Sequence, residues 1–270
     1  MKKLVILLAF VLSINILAIA QEGNNVNTRE FFLSSRIKKP TKKPTNKKAK
    51  EVNKEVNGNK QNSEPIGLGY TLYLRDEKDN GVRVDPERIF KSGDAVRLSL
   101  EPNIDGYLYI FYVENEGEPE LLYPDARLNA GDNTVKAHVP LEIPSRTVKD
   151  PNLRWFFFSG DPAKEKLYVM VTKNPLPNVP IGKDLVKYQQ ENKSNFKPSN
   201  ETWGLVKAKA SEPNLVSKNN DYGQQESQEE NKAVTRKLSL GNNAPAPSTV
   251  KVSKSAKSDM FATVVELKHE

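Results

Sequence analysis

The segment Tyr107–Val113 (YLYIFYV) constrains the fold more than any other part of the chain. Every position in it is apolar or aromatic, and such side chains favour the extended conformation. A strand without a polar face needs cover on both sides, so this segment is predicted to lie in the middle of a sheet. Asp105-Gly106 before it and Asn115-Glu116-Gly117 after it are turn residues that set its ends.

Two neighbouring segments complete a predicted meander. Apolar and polar residues alternate along Ala95–Glu101, which predicts a half-buried strand with Arg97, Ser99 and Glu101 on its solvent face. Leu121–Tyr123 follows the turn after the central segment. We therefore predict three consecutive antiparallel strands in one sheet.

Further strands are predicted on both sides of this meander. They cover Tyr70–Leu74, Val82–Val84, Asn133–Val139, Leu153–Phe158, Glu165–Thr172 and Met260–Leu267. The pair Asn80-Gly81 predicts a primed hairpin turn between the first two, because both central residues of such a turn need positive φ. Strands at this spacing predict an all-β fold with residues 66–177 as its core, an antiparallel β-sandwich of the immunoglobulin-like or a related type.

The pattern changes from Pro180 onward. Helical spacing of apolar residues predicts three short helices over Ile181–Asn192, Thr202–Ala210 and Ser227–Leu238, the last with Ser227 as its N-cap. We expect residues 178–258 to form a helical and polar excursion on the surface. Residues 259–268 are then predicted to return as the strand that closes the sheet.

Residues 1–20 have the pattern of a secretory signal peptide. Two lysines precede the apolar run Leu4–Leu12, and Ala18-Ile19-Ala20 supplies the small residues of a cleavage site. The alternative, a membrane anchor, is disfavoured because the apolar run is short for a membrane span. We expect an exported protein, periplasmic or extracellular, with no transmembrane span in the mature chain. The absence of cysteine excludes disulfides and zinc–thiolate sites.

The basicity of the chain is concentrated in one segment. The formal net charge is +7, and residues 21–65 carry 11 Lys and Arg against 5 Asp and Glu. Lysines and prolines in this segment predict a disordered linker, in which the apolar patch Arg29–Leu33 docks on the domain as an edge strand. The linker is either a solvated spacer or a polycation that attracts an anionic polymer of the cell envelope. The candidate binding residues are Lys38, Lys39, Lys42, Lys43, Lys47, Lys48 and Lys50.

Nucleic acid is disfavoured as a partner, because the body of the chain has no basic patch with interleaved aromatic residues. The partner is expected to be a protein or an anionic envelope polymer.

The sequence contains no recognisable catalytic constellation. A Ser/His/Asp mechanism would have to use His138, since His269 is the penultimate residue and is expected to fray. We predict that His138 is an ordinary strand residue and that the protein is not an enzyme.

Two acidic clusters are predicted to be turns. The cluster in 76–79 is expected to be a hairpin turn and not a metal site. The cluster in 114–120 is expected to be a solvated loop and not a pair of glycosidase carboxylates. No cofactor or metal site is predicted. Most aromatic side chains are expected in the core, while Tyr112 and Trp155 are candidates for an aromatic binding face for sugar or peptide.

These segments together resemble the bacterial family called domain of unknown function 4384. The resemblance rests on Phe90-x-x-Gly93-Asp94-x-Val96-Arg97-Leu98, on Asp105–Ile110 (DGYLYI) and on Leu121–Asp125 (LLYPD). It covers roughly Leu68 to Pro177. The resemblance implies an exported or envelope-associated protein, and it carries over no activity and no functional residues. Some members join the domain to a caspase-like peptidase, a protein kinase or tetratricopeptide repeats, and no such partner is evident here.

Two functions remain open at this point. The first is a non-enzymatic interaction, scaffold or sensory module of the cell envelope with a cationic N-terminal tether. The second is an envelope protein that binds or hydrolyses carbohydrate.

Overall fold

The structure is a computed structural model that describes residues 27–37 and 64–270. The predicted signal peptide and the candidate lysines of the linker lie outside the described residues. Within the described ranges the protein is mostly β-structure, with two sheets and four helices. The prediction of a β-rich fold is confirmed.

The strands are numbered in chain order. They are β1 (Gly67–Arg75), β2 (Gly81–Val84), β3 (Ile89–Phe90), β4 (Ala95–Pro102), β5 (Gly106–Glu114), β6 (Glu120–Tyr123), β7 (Thr134–Val135), β8 (Leu141–Ile143), β9 (Phe156–Phe157), β10 (Ala163–Thr172), β11 (Asn214–Lys218), β12 (Thr249–Ser253) and β13 (Met260–His269). The helices are α1 (27–34), α2 (Gly182–Asn192), α3 (Asn200–Ala210) and α4 (Gln228–Arg236).

The strands form two sheets. Sheet A has the order β11-β12-β1-β4-β8, with β2 paired to β1 and β9 paired to β4. Sheet B has the order β3-β13-β10-β5-β6, with β7 paired to β5. The pairings are antiparallel except for the short parallel pair of β3 and β13. One apolar cluster joins the two sheets, with Leu72 and Leu98 from sheet A and Ile110, Val169 and Val265 from sheet B.

Strand β5 is covered on both faces, as its sequence predicts. It pairs with β10 on one side and with β6 on the other. Leu108 and Ile110 belong to the cluster between the sheets. Tyr109 and Phe111 point the other way and belong to a second cluster that includes Leu185 of α2 and Val206 of α3. The helices therefore supply the second cover that an all-apolar strand requires.

The predicted three-stranded meander is wrong in one respect, because β4 and β5 belong to different sheets. The turn between them crosses from sheet A to sheet B. The Asn103 side chain fixes this crossing by accepting from the Gly67 amide at 2.7 Å and donating to the Pro65 carbonyl at 3.0 Å. Gly106 begins β5, where any Cβ would overlap the carbonyl oxygen of Thr172. Only the hairpin of β5 and β6 remains of the meander.

The turn between β1 and β2 differs from the predicted Asn-Gly turn. Asp79 is the residue with positive φ, at 66°, and neither Asn80 nor Gly81 is among the residues with positive φ. The Asp76 carboxylate accepts from the amides of Lys78 and Asn80 at 2.9 and 2.7 Å. This side-chain cap stabilises a longer loop. The pair Asn80-Gly81 therefore predicts the hairpin correctly but not the type of turn.

Two predicted strands are much shorter than expected. In 133–139 only Thr134 and Val135 form a strand, and His138 lies in a turn with φ of 58°. In 153–158 only Phe156 and Phe157 pair with β4. Trp155 and Phe158 are buried without being part of a strand, so their apolar character reflects burial and not regular pairing, whereas Leu153 is exposed.

The C-terminal strand closes sheet B, as predicted. Strand β13 pairs with β10 along its whole length, and Glu266 is exposed. His269 is not frayed, contrary to the sequence-based expectation. It is buried, pairs with Phe90 and lies with its ring centroid 5.3 Å from that of Phe158.

The segment 178–258 is more than a surface excursion. Its three predicted helices are confirmed as α2, α3 and α4, and Ser227 caps α4. The segment also contributes β11 and β12 to sheet A, where β12 pairs with β1. These strands escaped prediction because each has only five residues within a polar stretch.

Replacement of Ile110 tests the shared core. Ile110 is 0% exposed, and Ile110→Ala is expected to lower the free energy of unfolding by about 2–5 kcal/mol, measured by urea denaturation. Ile89→Ala removes the same atoms from a side chain that is 51% exposed and is the matched control. Equal losses in the two variants would contradict the placement of Ile110 in the core.

Candidate functional site

Sheet A has a polar face that is nevertheless buried. The face opposite the core, here called the covered face, carries the buried side chains of Thr71, Tyr73, Arg83, Arg97, Glu101 and Glu142. Cross-strand pairing places these residues side by side, since Tyr73 is opposite both Arg83 and Arg97. The prediction that Arg97 and Glu101 face solvent is wrong. A buried charge requires a partner, because its desolvation costs several kcal/mol, and distant segments of the chain provide the partners.

The first cluster on the covered face surrounds Arg83. Its guanidinium forms ion pairs with Asp221 and Glu230. Glu230 also accepts from the Tyr73 hydroxyl at 2.8 Å and from the Ser227 amide at 2.9 Å, the latter bond being half of the capping box of α4. Burial by itself lowers the pKa of Arg83, but Tyr73 and the two carboxylates outweigh it and raise that pKa. One buried arginine thus fixes α4 and the loop before it.

The second cluster places Glu142 between two arginines. Arg146 Nε donates to Glu142 at 2.6 Å, and Arg97 Nε lies 3.4 Å from the same carboxylate. Arg146 also pairs with Glu226, which precedes α4. Burial raises the pKa of Glu226, and the hydrogen bond from Arg146 opposes this shift. Burial also disfavours the charged form of Arg97 and so lowers its pKa, which the attraction of Glu142 opposes.

Trp155 belongs to this second cluster. It is 4% exposed, its ring centroid lies 4.0 Å from the Arg97 guanidinium carbon, and its Nε1 donates to Asp79 at 3.0 Å. Tyr112, the other candidate for an aromatic binding face, lies on β5 of sheet B and is half-buried against the shared core. The structure does not bring the two rings together.

The third cluster surrounds Glu101. Its carboxylate accepts from Arg36 Nε at 2.7 Å and from Arg36 Nη2 at 2.5 Å. His138 Nδ1 lies 2.7 Å from the same carboxylate, and His138 Nε2 lies 2.7 Å from Ser35 Oγ. The positive φ of His138 is part of the turn that aims the ring at both partners.

The contacts Ser35–His138–Glu101 follow the order of a serine-hydrolase triad. A nucleophile needs its hydroxyl proton directed at the base. The single hydroxyl proton of Ser35 is instead directed at the Phe32 carbonyl, 2.6 Å from Ser35 Oγ. Glu101 forms a bidentate pair with Arg36. This geometry anchors the segment that carries Ser35 and Arg36.

That segment, residues 27–37, is here called the foot. The predicted edge strand at Arg29–Leu33 is wrong, because the foot is helix α1 followed by the 3₁₀ turn Ser35–Ile37. It does dock on the domain: Phe32 is fully buried against Val250 and Val252 of β12. Arg29 Nη1 donates to the Pro247 carbonyl at 2.8 Å. Phe32, Arg29, Ser35 and Arg36 thus all contact the domain.

The foot gives the basic segment a second point of attachment to the domain. Residues 38–63 contain nine lysines and two glutamates. They follow the foot and precede β1, and both of these elements are bound in or on sheet A. The candidate lysines Lys38 to Lys50 therefore belong to a segment whose two flanks are held by the same domain, rather than to a leader held only at its C-terminal end.

A groove of about 510 Å³ lies where β12 of sheet A approaches β13 of sheet B. It is lined by three lysines and three carboxylates, Lys218, Lys251, Lys268, Asp85, Glu87 and Glu266. Lys251 Nζ donates to Thr263 Oγ1 at 2.8 Å, and burial lowers the pKa of this ammonium group. Burial raises the pKa of Tyr70, which lines the groove, to about 12. The balanced charge makes the groove polar without favouring one sign of ligand.

Two of the four loop carboxylates at 114–120 are engaged in surface ion pairs. Glu116 pairs with Lys166, and Glu118 pairs with Lys197. These hydrogen-bonded pairs lower the pKa of both carboxyl groups. A glycosidase general acid needs a raised pKa, so these two groups have the opposite electrostatic setting.

Across 27–37 and 64–270, no group of three or more His, Asp and Glu side chains is arranged to hold a metal ion. In that part of the chain no helix has both the length and the apolarity needed to cross a membrane.

The covered face was missed by sequence reasoning for a physical reason. Alternating charged residues on a strand indicate a solvated face unless something covers it, and the cover is remote. Arg83 meets Asp221 and Glu230 across 138 and 147 residues of sequence. No local pattern could have paired these residues.

The family model described as Domain of unknown function (DUF4384) matches residues 89–175. The predicted resemblance to this family is confirmed over that segment. The matched segment runs from β3 to just beyond β10, so it includes β5 but neither the foot nor α4. No curated protein and no solved structure matches the chain.

Loss of Arg83 should expose the dependence of the fold on the covered face. Arg83→Met leaves Asp221 and Glu230 buried without their cation, and breaking such a pair costs about 3–5 kcal/mol. We expect that loss in urea denaturation. Arg75→Met, which removes the exposed partner of Asp79 from the adjacent strand, is the control and should cost less than about 1 kcal/mol. Similar losses for the two variants would contradict this account.

Glu101 should control the docking of the foot. Glu101→Gln keeps the size of the side chain but leaves the buried Arg36 without a countercharge. Amide hydrogen exchange within residues 27–37 is expected to accelerate at least tenfold, which corresponds to about 1.4 kcal/mol. Glu116→Gln, at an exposed ion pair, is the control. Unchanged exchange in Glu101→Gln would show that other contacts hold the foot.

Proposed function

We propose that this protein is a non-enzymatic, exported interaction module of the bacterial cell envelope, and that its basic segment 38–63 attracts an anionic envelope polymer. Export to the periplasm or the exterior follows from the predicted signal peptide. The two sheets of this module are proposed to form a β-sandwich of the immunoglobulin-like or a related type. The docked foot is the observation that carries the proposal.

The foot supports this function through geometry. A free polycationic leader would spread its charge over a large volume. A segment attached to the domain at both ends, through the foot and through β1, is more restricted in its reach than one attached at a single end. Each lysine close to an anionic surface contributes about 1 kcal/mol, and salt screens this attraction. The nine lysines of a segment restricted in this way would bind an anionic polymer in a multivalent, salt-sensitive manner.

The alternative function is carbohydrate binding at the cell envelope. The groove between β12 and β13 supports it, because its volume of about 510 Å³ suits a small ligand and its lining is polar. Hydrolysis receives less support from the hairpin carboxylates, since ion pairs lower the pKa of Glu116 and Glu118.

Envelope sedimentation separates these possibilities. A variant with Gln at Lys38, Lys39, Lys42, Lys43, Lys47, Lys48 and Lys50 should lose at least tenfold in binding to purified cell envelope at low salt. Wild-type binding should fall to the same level near 1 M salt, where the Debye length is about 3 Å.

The matched control removes seven exposed lysines elsewhere. It places Gln at Lys183, Lys187, Lys193, Lys232, Lys237, Lys254 and Lys257, and it should bind like the wild type. An equal loss of envelope binding in both variants would show that binding depends on the net charge of the protein and not on the segment 38–63. No loss in either would leave the segment as a spacer and would contradict the proposed function.

A further inference from the structure

Strand β11 is an open sheet edge. It is the last strand of sheet A and pairs with β12 on one side. Leu215 and Val216, in the middle of the strand, are 38% and 37% exposed. An edge strand with exposed apolar residues is a template for pairing with another strand.

The ladder shows which backbone groups are available. The Asn219 amide donates to the Ser248 carbonyl at 2.7 Å, which makes these two residues a hydrogen-bonded pair. Hydrogen-bonded and non-hydrogen-bonded pairs alternate along an antiparallel ladder. In the observed register, Leu215 and Ser217 therefore bond to β12. The amides and carbonyls of Asn214, Val216 and Lys218 point away from it.

Two other sheet edges in the described part of the chain are protected. Strand β8, at the opposite edge of sheet A, has three residues between Pro140 and Pro144. Strand β6 lies between Pro119 and Pro124, and its ladder with β5 has an irregular register. Prolines, bulges and short strands are the usual protections of an edge. Strand β11 is longer than either, has a proline on one side only, Pro213, and pairs in a regular register. Its one lysine, Lys218, is engaged with Glu87.

We propose that β11 pairs with β11 of a second copy of this chain, antiparallel, with Val216 on the two-fold axis. In this register Asn214 lies opposite Lys218 of the second copy, so no like charges meet. Leu215 lies opposite Ser217 of the second copy, and Val216 meets its own equivalent, so both exposed apolar side chains gain cover. The outward amides and carbonyls of Asn214, Val216 and Lys218 then satisfy one another.

The self-complementary pattern favours a second copy over a peptide from another protein. The strand has only five residues, so the pairing alone falls short of the roughly 1,000 Å² that a stable interface buries. The dimer is accordingly weak and reversible. This inference does not depend on the proposed function, because β11 and the segment 38–63 are different parts of the molecule.

Cross-linking is a direct test, since the chain contains no cysteine. In the proposed register, the two Val216 Cα atoms form a hydrogen-bonded pair about 5.5 Å apart. That separation lies within the range of about 4.4–6.8 Å that a disulfide spans. Under mild oxidation, Val216→Cys is expected to form a covalent dimer at least tenfold faster than Leu238→Cys, whose parent side chain is 49% exposed on another surface.

Sedimentation equilibrium provides the second measurement. Val216→Pro removes only an outward amide, so the β12 ladder remains and the concentration-dependent association of the full chain should disappear. Val216→Thr keeps the amide and should associate like the wild type. The proposal is overturned if Val216→Cys dimerises no faster than Leu238→Cys. It is also overturned if the wild type stays monomeric at all concentrations, in which case the edge is left for a peptide of another protein.

Discussion

Paired burial of charge is the constraint on which the arrangement of this protein depends. Sheet A presents arginines and carboxylates on a face that water does not reach, and each needs a partner. Arg83, Glu142 and Glu101 obtain theirs from the segments around α4, the loop after β8 and the foot. The buried charges of the covered face therefore determine which segments of the chain pack onto the sheet.

The covered face also links the fold to the proposed function. The segment that matches the family model contributes Arg97, Glu101 and Glu142 to the covered face, whereas the foot and α4 lie outside that segment. The matched segment pairs some of these charges internally, as Arg146 does with Glu142, and the foot outside it supplies Arg36 for Glu101. Through Arg36 and Phe32 the same face fixes one flank of the basic segment. We expect the attachment of this flank to depend on ion pairs that are remote in sequence from the foot.

The sequence predicts elements well where one local pattern decides them. The apolar run at Tyr107–Val113, the capping box at Ser227 and the alternation in β13 each determine an element without help from the rest of the chain. Sequence-based prediction fails where tertiary contacts determine the structure of a segment. Alternation in Ala95–Glu101 is the same whether Arg97 faces water or Glu142, and the apolar foot could have added a strand or a helix. The clusters of the covered face were unpredictable for the same reason, since their members are up to 147 residues apart.

Docking of the foot is the central claim, and a distance measurement tests it most directly. The chain lacks cysteine, so spin labels can be placed at Ser34→Cys in the foot and at Leu238→Cys after α4, both exposed positions. The account predicts one narrow distance distribution by pulsed electron paramagnetic resonance at low and at moderate salt. A broad distribution typical of a free leader would contradict it.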